Sequence, residues 1–346
     1  MSAAAAPPVR RTRIGRLSWV WTPRVAVVAA IVVCLVLAVG AVALSTGTIT
    51  VPVPDVARAV FGQGEPITVK VVRDLRLPRF VTAALVGASL GISGAVFQSI
   101  SRNPLGSPDI IGFTMGAATG AVVQIVVFGG GAFATGAAAV AGGVVTAVVV
   151  YGLSYRRAAS GGYRLILVGI GIGAILKAMN GLLLTRADID TSIAAQRWLA
   201  GSLDVRTWDY VVTVGLAMVL LVPAALWFQR RLAYMEMGDD TARQLGIRVE
   251  RTRLLAVAVA VVLAAVAVAA TGPIAFIALA AAPLAKRLTR HPGPAVGSAA
   301  LMGALLLTSA DALTQFIPWD YAMPVGVVTG LLGGLYLAWM LGRSRI

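Results

Sequence analysis

Leu75-Arg76-Leu77-Pro78-Arg79, the small-residue run Gly87-Ala88-Ser89-Leu90-Gly91-Ile92-Ser93-Gly94-Ala95-Val96-Phe97-Gln98 and the exit Asn103-Pro104-Leu105-Gly106-Ser107-Pro108 form one continuous region between residues 75 and 108. Its centre is apolar over a spanning length, and Gly and Ala recur at helical spacing, so one face admits another backbone at close range. Two arginines guard the entrance, and a Pro/Gly-rich polar break follows the exit. A break of that kind near membrane depth is tolerated only where protein buries it or a cavity receives it. The region therefore predicts a packed helix inside a polytopic membrane bundle.

Composition sets the same class. Of 346 residues, 58% are hydrophobic and 12% charged, with a mean hydropathy of +0.87. Those values lie outside the range of a soluble globular domain, and no polar stretch is long enough for a separate one. Apolar runs at 25–45, 80–100, 112–130, 132–153, 165–185, 208–228, 253–271, 273–289, 295–312 and 323–341 predict an all-α protein of ten transmembrane helices. The expected organisation is a cytoplasmic tail 1–24, one membrane domain 25–342 with a cytoplasmic loop at 230–252, and a cytoplasmic tail 343–346. The first apolar run lacks a small-residue cleavage signature and reads as an uncleaved helix. The single cysteine, Cys34, lies within that run and reads as a packing residue.

Charge tests the topology. With both termini in the cytoplasm, 20 of the 29 basic residues face inward, Lys177 lies within a span, and eight face outward: Arg58, Lys70, Arg73, Arg76, Arg79, Arg186, Arg197 and Arg206. The positive-inside rule supports this arrangement, with a multi-pass protein of the cytoplasmic membrane as its consequence. Five of the eight exceptions crowd into the loop between the first two spans.

No catalytic constellation is visible. One histidine, His291, cannot assemble a metal site or proton relay. A glycine-rich phosphate loop is absent, so any ATP that drives this protein is used by another subunit and the chain calls for no cofactor of its own. The net charge of +15 is distributed over membrane-flanking loops without a basic domain, which argues against nucleic acid.

Two further segments carry polar organisation. Gly238-Asp239-Asp240-Thr241-Ala242-Arg243-Gln244-Leu245-Gly246-Ile247 predicts a short helix, capped by an aspartate, with Ala242 and Leu245 on one face and Gly246 as its stop. Lys177, in Gly173-Ala174-Ile175-Leu176-Lys177-Ala178-Met179-Asn180, places an ammonium inside a span, where it costs several kcal/mol unless paired or wet. It reads either as a pathway lysine for an anionic cargo, with Asn180 on its face, or as a snorkelling or packing residue. Gln98 and Asn103, around the break after the second span, are further pathway candidates.

With Gly272-Pro273-Ile274-Ala275-Phe276-Ile277-Ala278-Leu279 and the last span Met323-Pro324-Val325-Gly326-Val327-Val328-Thr329-Gly330, these segments occur in an order that resembles the permease subunits of the ATP-binding-cassette importers for iron-siderophores, haem and cobalamin, the type II importers. The resemblance covers about four fifths of the chain and is nearest to the iron-siderophore permeases. It implies a ten-helix permease, a transport subunit without enzymatic activity that forms half of the translocation pathway. Its implied partners are a second permease subunit, a heterodimer ahead of a homodimer, two cytoplasmic ATP-binding subunits, an external binding lipoprotein, a ferric-siderophore cargo and membrane lipid. By position, Arg76 and Arg79 match the family's external arginines that pair with the binding protein, and Gly238 to Ile247 match the coupling helix seated on the ATPase. A cobalamin or haem permease is the alternative within the family; an ion-coupled secondary transporter, with Asp311 as its one acidic candidate, is the alternative from another class. Two departures stand out: the proline after this Phe-Ile-Ala-Leu stretch is displaced to Pro283, and Gln315 stands where some relatives carry an arginine.

Overall fold

The computed structural model describes residues 10–14, 17–47, 49–156, 159–160, 162–316 and 323–343; parts of both predicted tails, 1–9 and 344–346, lie outside them. Helices dominate. In chain order they are α1 (Pro23–Ser45), α2 (Val53–Val60), α3 (Pro66–Lys70), α4 (Leu77–Ser101), α5 (Phe113–Val123), α6 (Ala132–Ser154), α7 (Gly162–Arg186), α8 (Ile189–Leu199), α9 (Trp208–Glu236), α10 (Asp239–Gln244), α11 (Val249–Thr271), α12 (Ile277–Thr289), α13 (Val296–Phe316) and α14 (Val325–Arg343). Two short antiparallel ribbons, Arg10–Ile14 with Leu17–Trp21 and Tyr155–Arg156 with Ala159–Ser160, stand outside the all-α expectation.

Every predicted apolar run coincides with a helix, but the runs are not equal in length. Seven helices among the described residues are long and apolar enough to cross a membrane, while Phe113–Phe128 and Val325–Trp339 are shorter. The run at 273–289 is broken: Gly272 and Phe276 adopt positive φ, Pro273 removes a donor, and α12 starts only at Ile277. Pro283 lies inside α12, which continues to Thr289.

The second span also departs from its reading. It is longer than the apolar run at 80–100: α4 carries Pro78 in its first turn, and one helical run extends from Pro66 to Ser101, 36 residues. Pro78 is accommodated by a π-helical stretch, Val71–Arg76, in which Leu77 N–H bonds Val72 O instead of the carbonyl four residues back. A π-turn ahead of the proline takes up the missing i→i−4 bond. At 1.5 Å per residue the run is about 54 Å long, well beyond a hydrocarbon core of roughly 30 Å. Its N-terminal end lies beside α2, over a small core of Leu44, Val51, Val56, Ala59 and Val72.

α4 is the axis of the bundle. It packs against α9, α11, α12 and α13, and 78% of its apolar window is buried, against 11% for α1 and 17% for α9. Glycine makes that position possible: a Cβ on Gly87 would overlap the carbonyl of Gly303 in α13, and one on Gly94 would overlap that of Ala278 in α12. Side-chain hydrogen bonds complete the contacts, Ser93 Oγ donating to Ala260 O (2.8 Å) and Gln98 Nε2 to Leu279 O (2.9 Å). Gly87→Leu is expected to destabilise the bundle by at least about 3 kcal/mol, since backbone must move to admit it. Gly334→Ala, with nothing within 4 Å of the added carbon, is expected to be neutral. Thermal midpoints in detergent compare the two.

Candidate functional site

One end of the bundle is built around the entrance of α4. Arg76 Nη1 and Nη2 donate to Leu44 O (2.8 Å) and Ile49 O (2.6 Å). These carbonyls belong to the end of α1 and its exit, where helical acceptors are left without partners. Arg79 turns inward: Nε and Nη2 reach the two oxygens of Asp311 on α13 (2.8–3.1 Å), and Nη1 reaches Asp204 before α9 (2.6 Å). Asp311 also accepts from Gln315 Nε2 at 3.0 Å. This carboxylate, 4% exposed at its side chain, is thus held by an intramolecular fork, the strongest geometry open to it. The structure therefore gives both arginines internal partners. Of the other cations between α1 and α4, Arg58, Lys70 and Arg73 are exposed, Arg58 in an ion pair with Asp55 at 3.4 Å.

At the same end, residues 201–202 join the segments that begin at Gly272 and Met323 through backbone contacts. Ser202 N–H bonds Thr271 O (2.8 Å) and Gly326 N–H bonds Gly201 O (3.2 Å). This brings together the ends of α8 and α11 and the start of α14.

At the opposite end lies α10. Gly238, with φ 122°, occupies the capping position, and no aspartate side chain caps the helix. Asp239 is engaged elsewhere. Its Oδ1 accepts from Arg102 at the end of α4 (2.9 Å) and its Oδ2 from Arg253 of α11 (2.7 Å). Arg253 is 1% exposed at its side chain and also bonds Glu250. The predicted common face of Ala242 and Leu245 is not formed: Ala242 is buried and seats the helix, whereas Leu245 and Met237 are exposed, together with Thr241 and Gln244. Leu245 lies beyond the last helical residue, where the chain already turns toward Gly246 (φ 79°).

Of the pathway candidates, Gln98 and Asn103 come together. Both border a cavity of about 340 Å³ that also meets Arg102, Pro104, Glu236 and Lys286. The last two form an ion pair at 3.4 Å. Gln98 is buried, and Asn103 Oδ1 accepts from Leu105 N–H at 2.9 Å, a local turn that stiffens the break after α4. Lys177 and Asn180 lie apart from this cavity on α7, and not on one face: Lys177 is exposed, whereas Asn180 is buried with Oδ1 unpartnered. Burial, with the charge of Lys286 nearby, holds His291 below the usual imidazole range. Sequence reasoning missed Arg253 and Asp204, since neither belongs to a motif; their importance arises from contacts 14 and 125 positions away.

A bundle of apolar helices of spanning length, ion-paired at its ends, is the architecture of a multi-pass membrane protein. The profile of the FecCD transport family matches residues 17–343, and the chain belongs to that family of ABC importer permeases. Among curated relatives, the ferric enterobactin transport system permease protein FepG of Escherichia coli (strain K12) is 45% identical over 85% of this chain and 89% of its own. The iron(3+)-hydroxamate import system permease protein FhuG of Bacillus subtilis (strain 168) is 33% identical over 92% and 97%. An inward-facing structure of a metal-chelate type ABC transporter superposes with a TM-score of 0.82 at 25% identity, covering 92% of this chain and 99% of that one. The protein is accordingly a multi-pass permease of the cytoplasmic membrane.

Arg79→Met is expected to lower the thermal midpoint by roughly 5–10 °C, because truncating one partner of a buried pair costs about 3 kcal/mol or more. Arg79→Met with Asp311→Asn should recover part of that loss; a double variant no more stable than the single would refute the pairing argument.

Proposed function

We propose that this chain is the permease subunit of an ATP-driven importer of a ferric siderophore, working with a second permease, two cytoplasmic ATP-binding subunits and an external binding lipoprotein. The observation that carries the reading is α10: a short helix seated by Ala242 and Asp239 and flanked by the exposed Met237 and Leu245, in a chain that has no nucleotide-binding loop. Exposed apolar side chains at both ends of a helix anchored by ion pairs suit a groove on a separate motor protein. The named cargoes of the relatives, ferric enterobactin and iron(3+)-hydroxamate, favour an iron chelate over haem or cobalamin. An ion-coupled carrier would need an intramembrane acid able to bind and release its ion; Asp311, the candidate, is bonded to Arg79 and Gln315.

In this reading both termini are cytoplasmic and the chain crosses ten times. The charge asymmetry of the loops supports it, with α5 and α12 as short crossings completed by the non-helical segments 103–112 and 272–276. The second permease covers the face of α7 that carries Lys177, since an ammonium exposed to hydrocarbon at mid-helix is costly, and there the lysine meets an anionic chelate at the shared pathway. On the outer cap, Arg76 and Arg79 frame the docking surface, while the exposed Arg58, Lys70 and Arg73 meet carboxylates of the binding protein.

Transport is alternating access without covalent chemistry. Nucleotide-driven closure of the ATPases displaces α10, and the ion pairs of Asp239 pass that displacement to α4 through Arg102 and to α11 through Arg253. Leu245→Asp is expected to abolish uptake into ATP-loaded vesicles and release the ATPase while membrane insertion persists; normal uptake would remove the coupling role. Asp239→Asn should keep the ATPase bound yet reduce transport per ATP hydrolysed, measured as the ratio of chelate uptake to phosphate release, and an unchanged ratio would exclude it from transmission. For docking, Lys70→Glu with Arg73→Glu should lower the association rate of the loaded binding protein about tenfold at low salt, with the effect fading as salt rises. Docking that is unchanged there but lost in Arg76→Glu with Arg79→Glu at unaltered stability would return the contact to the latter pair.

A further inference from the structure

One cluster of cations takes no part in the ion pairs described above. Near the end of α9, the Arg231 guanidinium lies 3.9 Å over the ring of Trp227. With Arg248 and Arg251, at the start of α11, these two residues border a cavity of about 350 Å³ that Leu255 closes on the membrane side. The nearby acids are directed elsewhere, Asp239 and Glu250 to Arg253 and Asp240 to Arg243. None of Arg231, Arg248 and Arg251 has a carboxylate partner among the described residues. Trp227 is exposed, and above it Leu216, Val219 and Leu220 continue an exposed apolar stripe along α9, with Leu254 and Leu255 exposed on α11.

We propose that this cavity binds the headgroup of an anionic glycerophospholipid, with its acyl chains along the α9–α11 stripe. A phosphodiester satisfies planar guanidiniums that lack another anion. The absence of a carboxylate among the lining residues leaves nothing to receive the ammonium of a zwitterionic headgroup. Trp and Arg at a helix end over an apolar stripe suit the interfacial level of a bilayer, and basic clusters of this kind recognise anionic lipid on the cytoplasmic side. The location rests on the proposed topology. It also places a lipid against Gly246 and Ile247, the exit of α10, so lipid charge would brace the segment that carries the coupling helix.

The test uses the purified full-length chain and native mass spectrometry after exchange into phosphatidylglycerol or phosphatidylcholine. The wild type should retain phosphatidylglycerol selectively. Arg231→Gln with Arg248→Gln and Arg251→Gln should lose that selectivity on the order of a hundredfold, given the contribution of each basic residue near an anionic surface. Arg248→Gln alone, at an exposed position, should give an intermediate loss with the thermal midpoint in phosphatidylcholine unchanged, which separates binding from folding. Retention unaltered in the triple variant overturns the proposal. So does equal competition by millimolar inorganic phosphate, which would indicate a free-anion site, or displacement of the lipid on adding the ATPase, which would indicate a protein contact. Labelling of a cysteine placed at residue 248 from inside or outside sealed vesicles tests the topology separately, and cross-linking of a cysteine at residue 237 to the ATPase tests the α10 assignment.

Discussion

α4 lies at the centre of the bundle only because its faces lack bulk where other backbones cross. In hydrocarbon, apolar side chains gain little by leaving lipid for protein, so association rests on close packing and on hydrogen bonds that lipid cannot offer. Gly87 against Gly303 and Gly94 against Ala278 provide the closeness; Ser93 and Gln98 provide the bonds, each to a carbonyl of a neighbouring helix. With α4 set so deep, its polar ends fall where other elements terminate. Arg79 meets Asp311 and Asp204 at one end, and Arg102 meets Asp239 at the other.

That arrangement explains the density of positive charge between α1 and α4. Arg76 serves the unpaired carbonyls at the end of α1, and Arg79 neutralises an acid that would otherwise be buried alone. Arg206 likewise donates to Ser202 O and stacks on Tyr210. Each of these arginines has a partner within the chain. The exposed remainder of the cap carries charge that a partner can use.

The two ends of α4 differ in what they hold. At its start, the fork on Asp311 joins α4 to α13 and to the segment before α9, a contact suited to keeping three elements in register. At its end, Asp239 is shared between two arginines on different helices, one of them fully buried. A carboxylate at the start of a short helix, divided in this way, binds that helix to α4 and α11 at once. Displacement of α10 cannot leave both helices unaffected unless an ion pair breaks, and a charge in the position of Arg253 has no water to replace the lost partner.

Some of this was legible in the residues alone. The apolar runs located every long helix, since spanning length and composition are local properties, and the motif order from Arg76 to Gly330 placed the family. Polar glycine-bounded residues 238–247 likewise announced a short helix, because caps and stops are local too. The sequence did not reveal which cations were already occupied. Nothing next to Arg79 indicates Asp311, 232 positions away, and nothing next to Asp239 indicates Arg102. Ala242 and Leu245 seem to share a face until the chain turns after Gln244, and the apolar run at 80–100 gives no sign of the π-turn through which its helix continues back to Pro66. Local chemistry thus determined where helices form and which segments are polar. Tertiary packing decided which polar groups meet, because the partner of a charge inside a bundle is set by which helices cross, and crossing depends on glycine contacts between segments far apart in the chain.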